Sequence, residues 1–343
     1  MDKLATLLVY QPGESPGVEL LKNALEKGSD AAKIDALKKC ITLTINGESL
    51  PGILMCIIRF VLPSRNHTLK KLLLLYLEAV EKVDAQGKLK PEMILVCNAV
   101  RNDLRHPNEY IRGSACRFLC NMREAELLEP LIPAVRANLE HRHSYVRRNA
   151  VLCIYSIYKH ADNLIPDAPD LIFDFLSAEA DPACKRNAFI MLLNTAPEKA
   201  TEYLGGVLDE IESFPDVLQF IVVELIRKLV RQNPQLRGKY IRVIFGLLKA
   251  SSPAVRFEAA ATLLHLSAAP SAIRAAASTY IEILVSESDN NVKLIVLDRI
   301  GTIKQRHPKV MQELLLDVLR ALGSPSLAIR RKTLQLGLDL VSQ

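Results

Sequence analysis

A polar segment followed by a helical apolar stripe recurs along the chain, and residues 140–158 show this pattern most clearly. The segment opens with turn-prone polar residues and continues with apolar residues at intervals of three or four. That interval places apolar side chains on one face of an α-helix. The pattern predicts a helix over residues 144–160, with a buried stripe formed by Val146, Ala150, Val151, Ile154 and Ile157.

A basic residue recurs early in the apolar helix of each unit, beside an aliphatic residue as in Val146-Arg147. The spacing of these residues is about 37, with a double step between Lys185 and Arg256. Gln219, within that step, stands where a base is expected. A fixed period of this length is typical of helical repeat proteins. The recurring bases are Lys33, Lys71, Arg112, Arg147, Lys185, Arg256, Lys293 and Arg330.

The repeat predicts an all-α fold, a right-handed α-solenoid of HEAT/armadillo-like helical pairs with a period of about 37 residues. Asp-Pro or Ser-Pro marks several turns between the two helices of a pair, where Asp or Ser caps and Pro opens the second helix. We expect about nine pairs over residues 18–343 and a loose lead-in over residues 1–17. No polar capping pair follows the last apolar helix, so we expect a trunk cut from a longer solenoid.

Composition supports a helical core and a reducing environment. Hydrophobic residues make up 49% of the chain and Trp is absent, which suits helices packed on helices rather than aromatic-rich sheets. The seven cysteines are odd in number and scattered through apolar segments. We therefore expect reduced thiols in a cytosolic protein. The apolar run near the N-terminus is too short for a signal peptide or a membrane span.

The net charge of +6 is modest, but its distribution is uneven. Residues 200–226 hold six acids and no base, and residues 227–249 hold seven bases and no acid. Neighbouring solvated helix faces explain this more simply than two partner surfaces.

A regular row of bases has two interpretations. It could follow the phosphates of a nucleic acid, or each base could pair with acids or carbonyl groups at the adjacent turn, forming a structural ladder. Acidic blocks interrupt the row and aromatic residues do not alternate with it, so we favour the ladder and expect no nucleic-acid partner. The proposed ladder residues are Lys33, Lys185, Arg256, Lys293 and Arg330.

The residues give no support for catalysis, a metal or a cofactor. The phosphate-binding glycine loops, the nucleophile elbow and the zinc-protease motif are all missing from the sequence. Cys116 with Cys120, and His141 with His143, fall short of the four convergent ligands of a zinc site. We therefore predict a non-enzyme without cofactor or metal.

A dense basic cluster in the first half of the chain is the best candidate for a partner-binding surface, although ladder contacts and solvated side chains explain it equally well. The candidate residues are Lys70, Lys71, Arg105, Arg112, Arg142, Arg147 and Arg148.

Several stretches resemble the N-terminal trunks of adaptin-like large chains, and most closely the coatomer beta (beta-COP) family. Residues 69–77 and 145–148 are similar to clathrin-adaptor large chains as well, whereas 143–151 and 288–299 are more specific to the coatomer family. Further similar stretches are 46–52, 58–63, 106–113, 124–131 and 165–169. The resemblance extends from about residue 18 to the end.

The resemblance implies a scaffold subunit of the COPI vesicle coat, recruited by a GTP-bound Arf-family GTPase to Golgi membranes for retrograde Golgi-to-ER and intra-Golgi transport. It implies the small N-terminal domain of the coatomer delta subunit and other coatomer subunits as partners. The protein would be cytoplasmic, and peripheral on Golgi membrane and COPI vesicles through the coat. We expect the Arf surface among residues 33–150.

Two other interpretations stay open. A clathrin-adaptor trunk would have the same repeats and different small subunits. A karyopherin-like cargo receptor commonly carries rows of Trp and Asn on its concave surface, so the absence of Trp disfavours it.

Overall fold

The computed structural model describes residues 17–64, 66–84 and 86–341. Most of the expected lead-in, residues 1–16, lies outside this part of the chain. The molecule divides into two compact units, of which unit 1 ends at Met191 and unit 2 begins at Leu192. Within the described ranges, extended pairing is limited to one antiparallel bridge between Val83 and Leu89, and the rest of the regular structure is helical.

Unit 1 is built from α-helices joined by short turns. They are α1 (Val18–Lys27), α2 (Asp30–Ile45), α3 (Ile53–Phe60), α4 (His67–Ala79), α5 (Met93–Asp103), α6 (Glu109–Leu119), α7 (Ala125–Leu128), α8 (Ile132–Ala137), α9 (Ser144–His160), α10 (Ala168–Ala178) and α11 (Pro182–Thr195), the last of which contains the unit boundary.

Unit 2 is also built from α-helices joined by short turns. Its helices are α12 (Pro197–Gly206), α13 (Asp216–Gln232), α14 (Arg237–Leu247), α15 (Pro253–Leu266), α16 (Pro270–Ser286), α17 (Asn290–Arg306), α18 (Pro308–Glu313), α19 (Leu315–Leu319) and α20 (Leu327–Val341). Short 3-10 helices occur in both units. Those of unit 1 are Glu129–Leu131, Asn138–Glu140 and Asp162–Leu164, and those of unit 2 are Leu208–Ser213, Pro234–Leu236 and Arg320–Gly323.

Two boundaries differ from the sequence pattern because of proline and glycine. The apolar pattern of residues 124–140 predicts one helix, but Pro130 and Pro133 lack the amide donors of a continuous helix, and α7 and α8 are separated by a 3-10 turn. The position of Pro51 at the start of an apolar run predicts the first turn of a helix. Pro51 precedes α3 instead, because Gly52 has φ of 75° and caps the helix in the left-handed region.

The cores consist of aliphatic side chains from paired helices. All five residues of the predicted α9 stripe are buried, with exposures of 0–1%. The second helices of successive pairs pack on each other, as α2 does on α4 and α6 on α9 in unit 1, and α13 on α15 in unit 2. Polar caps begin these helices: Asn66 accepts from the amides of Thr68 and Leu69, and Asn108 from those of Tyr110 and Ile111.

Candidate functional site: a basic and aromatic groove in unit 1

The recurring bases occupy one defined position, the fourth residue after the cap of each second helix. The backbone amide of this residue donates to the cap carbonyl over 2.8–3.4 Å in every case. In the second pair the position belongs to Lys70, and Lys71 lies one residue beyond it, which corrects the assignment from the sequence. The set is Lys33, Lys70, Arg112, Arg147, Lys185, Gln219, Arg256, Lys293 and Arg330.

In the first three pairs the side chain at this position reaches the following pair. Lys33 Nζ donates to the carbonyl of Phe60 over 3.3 Å, and Lys70 Nζ pairs with Asp103 over 2.9 Å. Arg112 donates through Nε to the carbonyl of His106 and through Nη1 to Asn138 Oδ1, over 3.0 and 3.3 Å. These three bases therefore hold structure together and are half-buried.

Arg147 makes the most extensive contacts of the set. Its Nε and Nη2 donate to both oxygens of Glu179 over 2.7 and 2.8 Å, a bidentate pair, and Nη1 donates to the carbonyls of His141 and Arg142. The Glu179 side chain is 4% exposed. Burial alone would raise the pKa of its carboxyl, but Arg147 and the amides of Asp181 and Ala180 outweigh burial and hold that pKa below its ordinary value.

The remaining positions of the set differ from one another. Arg256 Nη1 lies 3.7 Å from Glu282, and Gln219 donates to the carbonyls of Ile211 and Glu212, each over 3.2 Å. The side chains of Lys185, Lys293 and Arg330 make no hydrogen bond or ion pair in the described part of the chain. The row of contacts is therefore interrupted at these three positions.

The other candidate partner-binding residues remain exposed. Lys71 and Arg148 lie at the position that follows the recurring base, while Arg105 and Arg142 lie in the turns that precede α6 and α9. The Arg148 guanidinium lies 4.9 Å from the ring centroid of Tyr145, within cation–π range. The seven-residue cluster is therefore divided: three bases are tied into the structure, and four are available to a partner.

Aromatic rings lie next to these bases, a feature that the sequence pattern did not indicate. Tyr110 and Tyr145 occupy the same position, two residues after the cap, in α6 and α9, and their ring centroids are 5.5 Å apart. His143 lies 6.3 Å from Tyr110. Tyr110 is 60% exposed, so its ring remains available for contact. The repeat register carried the signal: two tyrosines share one position in successive pairs.

A groove of about 720 Å³ lies between α4 and α6. Its α4 wall includes Lys71 and Leu74, and its α6 wall includes Tyr110, Ser114 and Arg117. Residues three, four and seven apart share one face of a helix, and both sets have this spacing. The groove therefore offers basic, aromatic and aliphatic side chains to a single ligand.

A second exposed surface in unit 1 is apolar. Ile94 and Leu95 of α5 are 59% and 50% exposed, and Asn98 and Arg101 follow Ile94 at four and seven residues, on the same helix face. Adjacent exposed aliphatic residues mark protein contacts more often than isolated ones do. The sequence showed only an apolar run here, which a buried helix would share.

The described residues include no helix long and apolar enough to cross a membrane. Within the same ranges, no group of three or more His, Cys, Asp or Glu side chains is arranged to hold a metal ion. Three free thiols lie near one another: Cys116 of α6, Cys120 directly after α6, and Cys153 of α9.

Comparison with protein families identifies the architecture. The model of the adaptin N-terminal region matches residues 18–343. The chain belongs to the adaptin N-terminal family. The fold is also similar to that of a chain in a homology model of the full-length AP-3 complex in an intermediate open conformation. The match covers 90% of this chain and 54% of the other, with a TM-score of 0.70 and 17% identity. That likeness confirms the predicted solenoid class of fold.

Within the adaptin family, the chain is similar over its length to coatomer beta subunits. It is 60% identical over 343 residues to coatomer subunit beta of Dictyostelium discoideum and 58% identical over 336 residues to that of Rattus norvegicus. Coatomer subunit beta-2 of Arabidopsis thaliana is 54% identical over 345 residues. These alignments cover 97–100% of the chain but 35–38% of the relatives. The chain thus spans about a third of their length, and the resemblance stated from the sequence is confirmed.

Proposed function

We propose that this chain is the N-terminal trunk of a beta-type subunit of the COPI coat and acts as a non-catalytic scaffold. The observation that carries the proposal is its 54–60% identity to coatomer beta subunits over nearly all of its residues. Helical pairs that present side chains in a fixed register suit a scaffold, because each pair offers one more contact surface at a regular spacing.

The partners follow from the same likeness. The trunk holds the small N-terminal domain of a delta-type subunit and contacts other coatomer subunits. It reaches Golgi membranes from the cytoplasm through the assembled coat, in retrograde Golgi-to-ER and intra-Golgi transport. The scaffold needs no cofactor and binds no nucleic acid. Four of its recurring bases, Lys33, Lys70, Arg112 and Arg147, serve contacts within the protein.

A GTP-bound Arf-family GTPase docks on unit 1, on the α5 face formed by Ile94, Leu95, Asn98 and Arg101. GTP orders the switch regions of such GTPases, so a partner that contacts them distinguishes the GTP-bound from the GDP-bound form. Protein interfaces of this kind have a core that loses water, and the paired aliphatic side chains of α5 supply one. The alternative contact is the exposed pair Lys71 and Arg148 beside the groove.

The test is binding of the 343-residue chain to Arf loaded with a non-hydrolysable GTP analogue, compared with Arf-GDP. We expect GTP-dependent binding that Ile94→Asp with Leu95→Asp abolishes. Leu20→Asp is the matched control, because Leu20 is 68% exposed on another first helix. Lys71→Glu with Arg148→Glu tests the alternative face. Arg112 is unsuitable for charge reversal because its guanidinium is bound within the fold.

Equal binding to the two nucleotide states, or none when the delta N-terminal domain is also supplied, would refute docking on this trunk. Loss of binding in the Lys71 and Arg148 variant alone would move the contact to the groove.

A further inference from the structure

The groove between α4 and α6 has a positive charge that the protein does not neutralise. Asp103 is the acid in its lining, and it is already paired with Lys70 over 2.9 Å. Lys71 and Arg117 also line the groove and are exposed. Neither makes a side-chain hydrogen bond or ion pair within the described residues. Glu78 lies close enough to act, as Arg117 does, on the Cys120 thiol, but it does not line the groove.

Apolar surface accompanies this charge. Leu74 lies on the α4 wall three residues after Lys71, and the 60% exposed Tyr110 forms part of the α6 wall. Tyr145 of α9 also lines the groove, and its ring centroid lies 5.5 Å from that of Tyr110. A volume of about 720 Å³ is within the range that holds a peptide segment of a few residues.

The two free bases belong to different walls of the groove. Lys71 is the fifth residue after the cap of α4, and Arg117 is the ninth after the cap of α6, so a ligand that pairs with both must span the groove.

We propose that the groove between α4 and α6 binds an acidic linear segment of a partner protein, with two carboxylates that flank a leucine or similar side chain. One carboxylate pairs with Lys71 and the other with Arg117, and the apolar side chain packs between Leu74 and Tyr110. The aromatic wall and the recessed aliphatic residues favour a peptide over a flat lipid surface. This site is separate from the α5 face assigned to the GTPase.

The probe is a fluorescein-labelled peptide with a Glu-Leu-Glu core between Gly-Ser spacers, titrated with the 343-residue chain. Matched peptides carry Gln-Leu-Gln, which lacks charge, or Glu-Gly-Glu, which lacks the apolar anchor. We expect Lys71→Glu and Arg117→Glu each to weaken binding by about tenfold, and both control peptides to bind more weakly than the probe. Tyr110→Ala also weakens binding, whereas Tyr110→Phe, which keeps the ring, does not.

Lys39→Glu is the control for net charge, because Lys39 is exposed on α2, away from the groove. It should leave binding unchanged, as should Ile94→Asp with Leu95→Asp. Equal weakening by Lys39→Glu, or equal binding of the Gln-Leu-Gln peptide, would show general charge attraction and overturn the site. Preferential binding of vesicles with anionic lipids, lost in the Lys71 and Arg117 variants, would assign the groove to a membrane. Circular dichroism of each variant identifies any that fails to fold, and the peptide series on the unaltered chain tests the proposal without them.

Discussion

The Tyr145 ring lies against the backbone of Gly113, in space that any larger side chain would need. A Cβ atom placed on Gly113 would be 2.3 Å from Cε1 and 2.7 Å from Cδ1 of Tyr145. Glycine therefore allows α6 and α9 to approach closely, and it positions a ring of the groove. The two residues belong to successive repeats. The aromatic surface and the packing of α6 on α9 therefore depend on residue 113 being glycine, which has no side chain.

Gly113→Ala should destabilise the protein although alanine favours helices. The intrinsic gain in a helix interior is about 1 kcal/mol, but the clash displaces a tyrosine, and overpacking of this kind costs about 1–3 kcal/mol. We expect a lower urea midpoint by circular dichroism. In a Tyr145→Ala background, the same change should become neutral or stabilising. Gly301→Ala is the matched control, since its new methyl group would be 3.6 Å from Leu336, and a fall in its midpoint would contradict this account.

Arg147→Lys should be strongly destabilising because lysine cannot replace a bidentate contact with a buried carboxylate. The change leaves Glu179, whose side chain is 4% exposed, with a weaker partner and frees the carbonyls of His141 and Arg142. Losing one partner of a buried ion pair costs about 3–5 kcal/mol, and a residual lysine contact would reduce this to about 2–3 kcal/mol. Arg148→Lys, one residue further on at an exposed position, should change the unfolding free energy by less than about 0.5 kcal/mol.

The same pair makes unit 1 sensitive to acid. The pKa of the Glu179 carboxyl is held below its ordinary value of 4.5, although burial opposes this, because Arg147 and two backbone amides bind the charged form. A lowered folded-state pKa contributes stability above the unfolded value, and this contribution is lost as the pH falls below 4.5. Arg136 likewise lowers the pKa of Asp167.

We expect the urea midpoint to fall steeply below pH about 4.5 in the unaltered chain. Glu179→Gln should have a lower midpoint at neutral pH and a shallower fall in acid. Parallel pH profiles for the two proteins would contradict the role given to Glu179.

The sequence predicted the helical repeat because its signal is local. Asp181 illustrates this: an Asp before Pro182 predicts a cap, and Asp181 Oδ2 accepts the amide of Cys184 over 2.9 Å. The site was harder to predict, because whether a base is free depends on the next repeat. Lys70 and Lys71 are adjacent in sequence, yet one faces Asp103 and the other is exposed on the groove. A single sequence cannot say which of two neighbouring lysines meets an acid more than thirty residues away.

Cys120 should be the first of the seven thiols to react with iodoacetamide. It is half-buried, and its pKa is lowered, first because the Cys153 thiol hydrogen-bonds to it, against the opposing effect of burial. Burial raises the pKa of Cys40 and of Cys116 to about 12, which makes their thiolates scarce at neutral pH.

Peptide mapping over time measures the order of alkylation. Cys153→Ala should slow the alkylation of Cys120. Cys153→Ser keeps a hydrogen-bond donor, so it should slow this alkylation less. Faster labelling of Cys56, the other half-buried thiol, would contradict the effect given to Cys153.

Gln219 should tolerate loss of its amide better than replacement of that amide by a carboxylate. Its Nε2 donates to the carbonyls of Ile211 and Glu212, and the residue is 3% exposed. Gln219→Met removes both hydrogen bonds at similar volume and should cost about 1–3 kcal/mol. Gln219→Glu turns an acceptor with a negative charge towards two carbonyl oxygens in a buried site, so its cost at neutral pH should be larger.

Acid should partly rescue Gln219→Glu. Burial and the facing carbonyls raise the pKa of the new carboxyl in the folded state, since only the protonated form can donate to them. A raised folded-state pKa contributes stability that is present at low pH and lost as the pH rises. The difference in unfolding free energy between Gln219→Glu and Gln219→Met should therefore become smaller from neutral pH to pH about 5, as measured by urea unfolding. If the difference in unfolding free energy between the two variants stays constant with pH, the carboxylate of Gln219→Glu reaches solvent. Unit 2 would then not require a hydrogen-bond donor at the position where the other repeats carry a base.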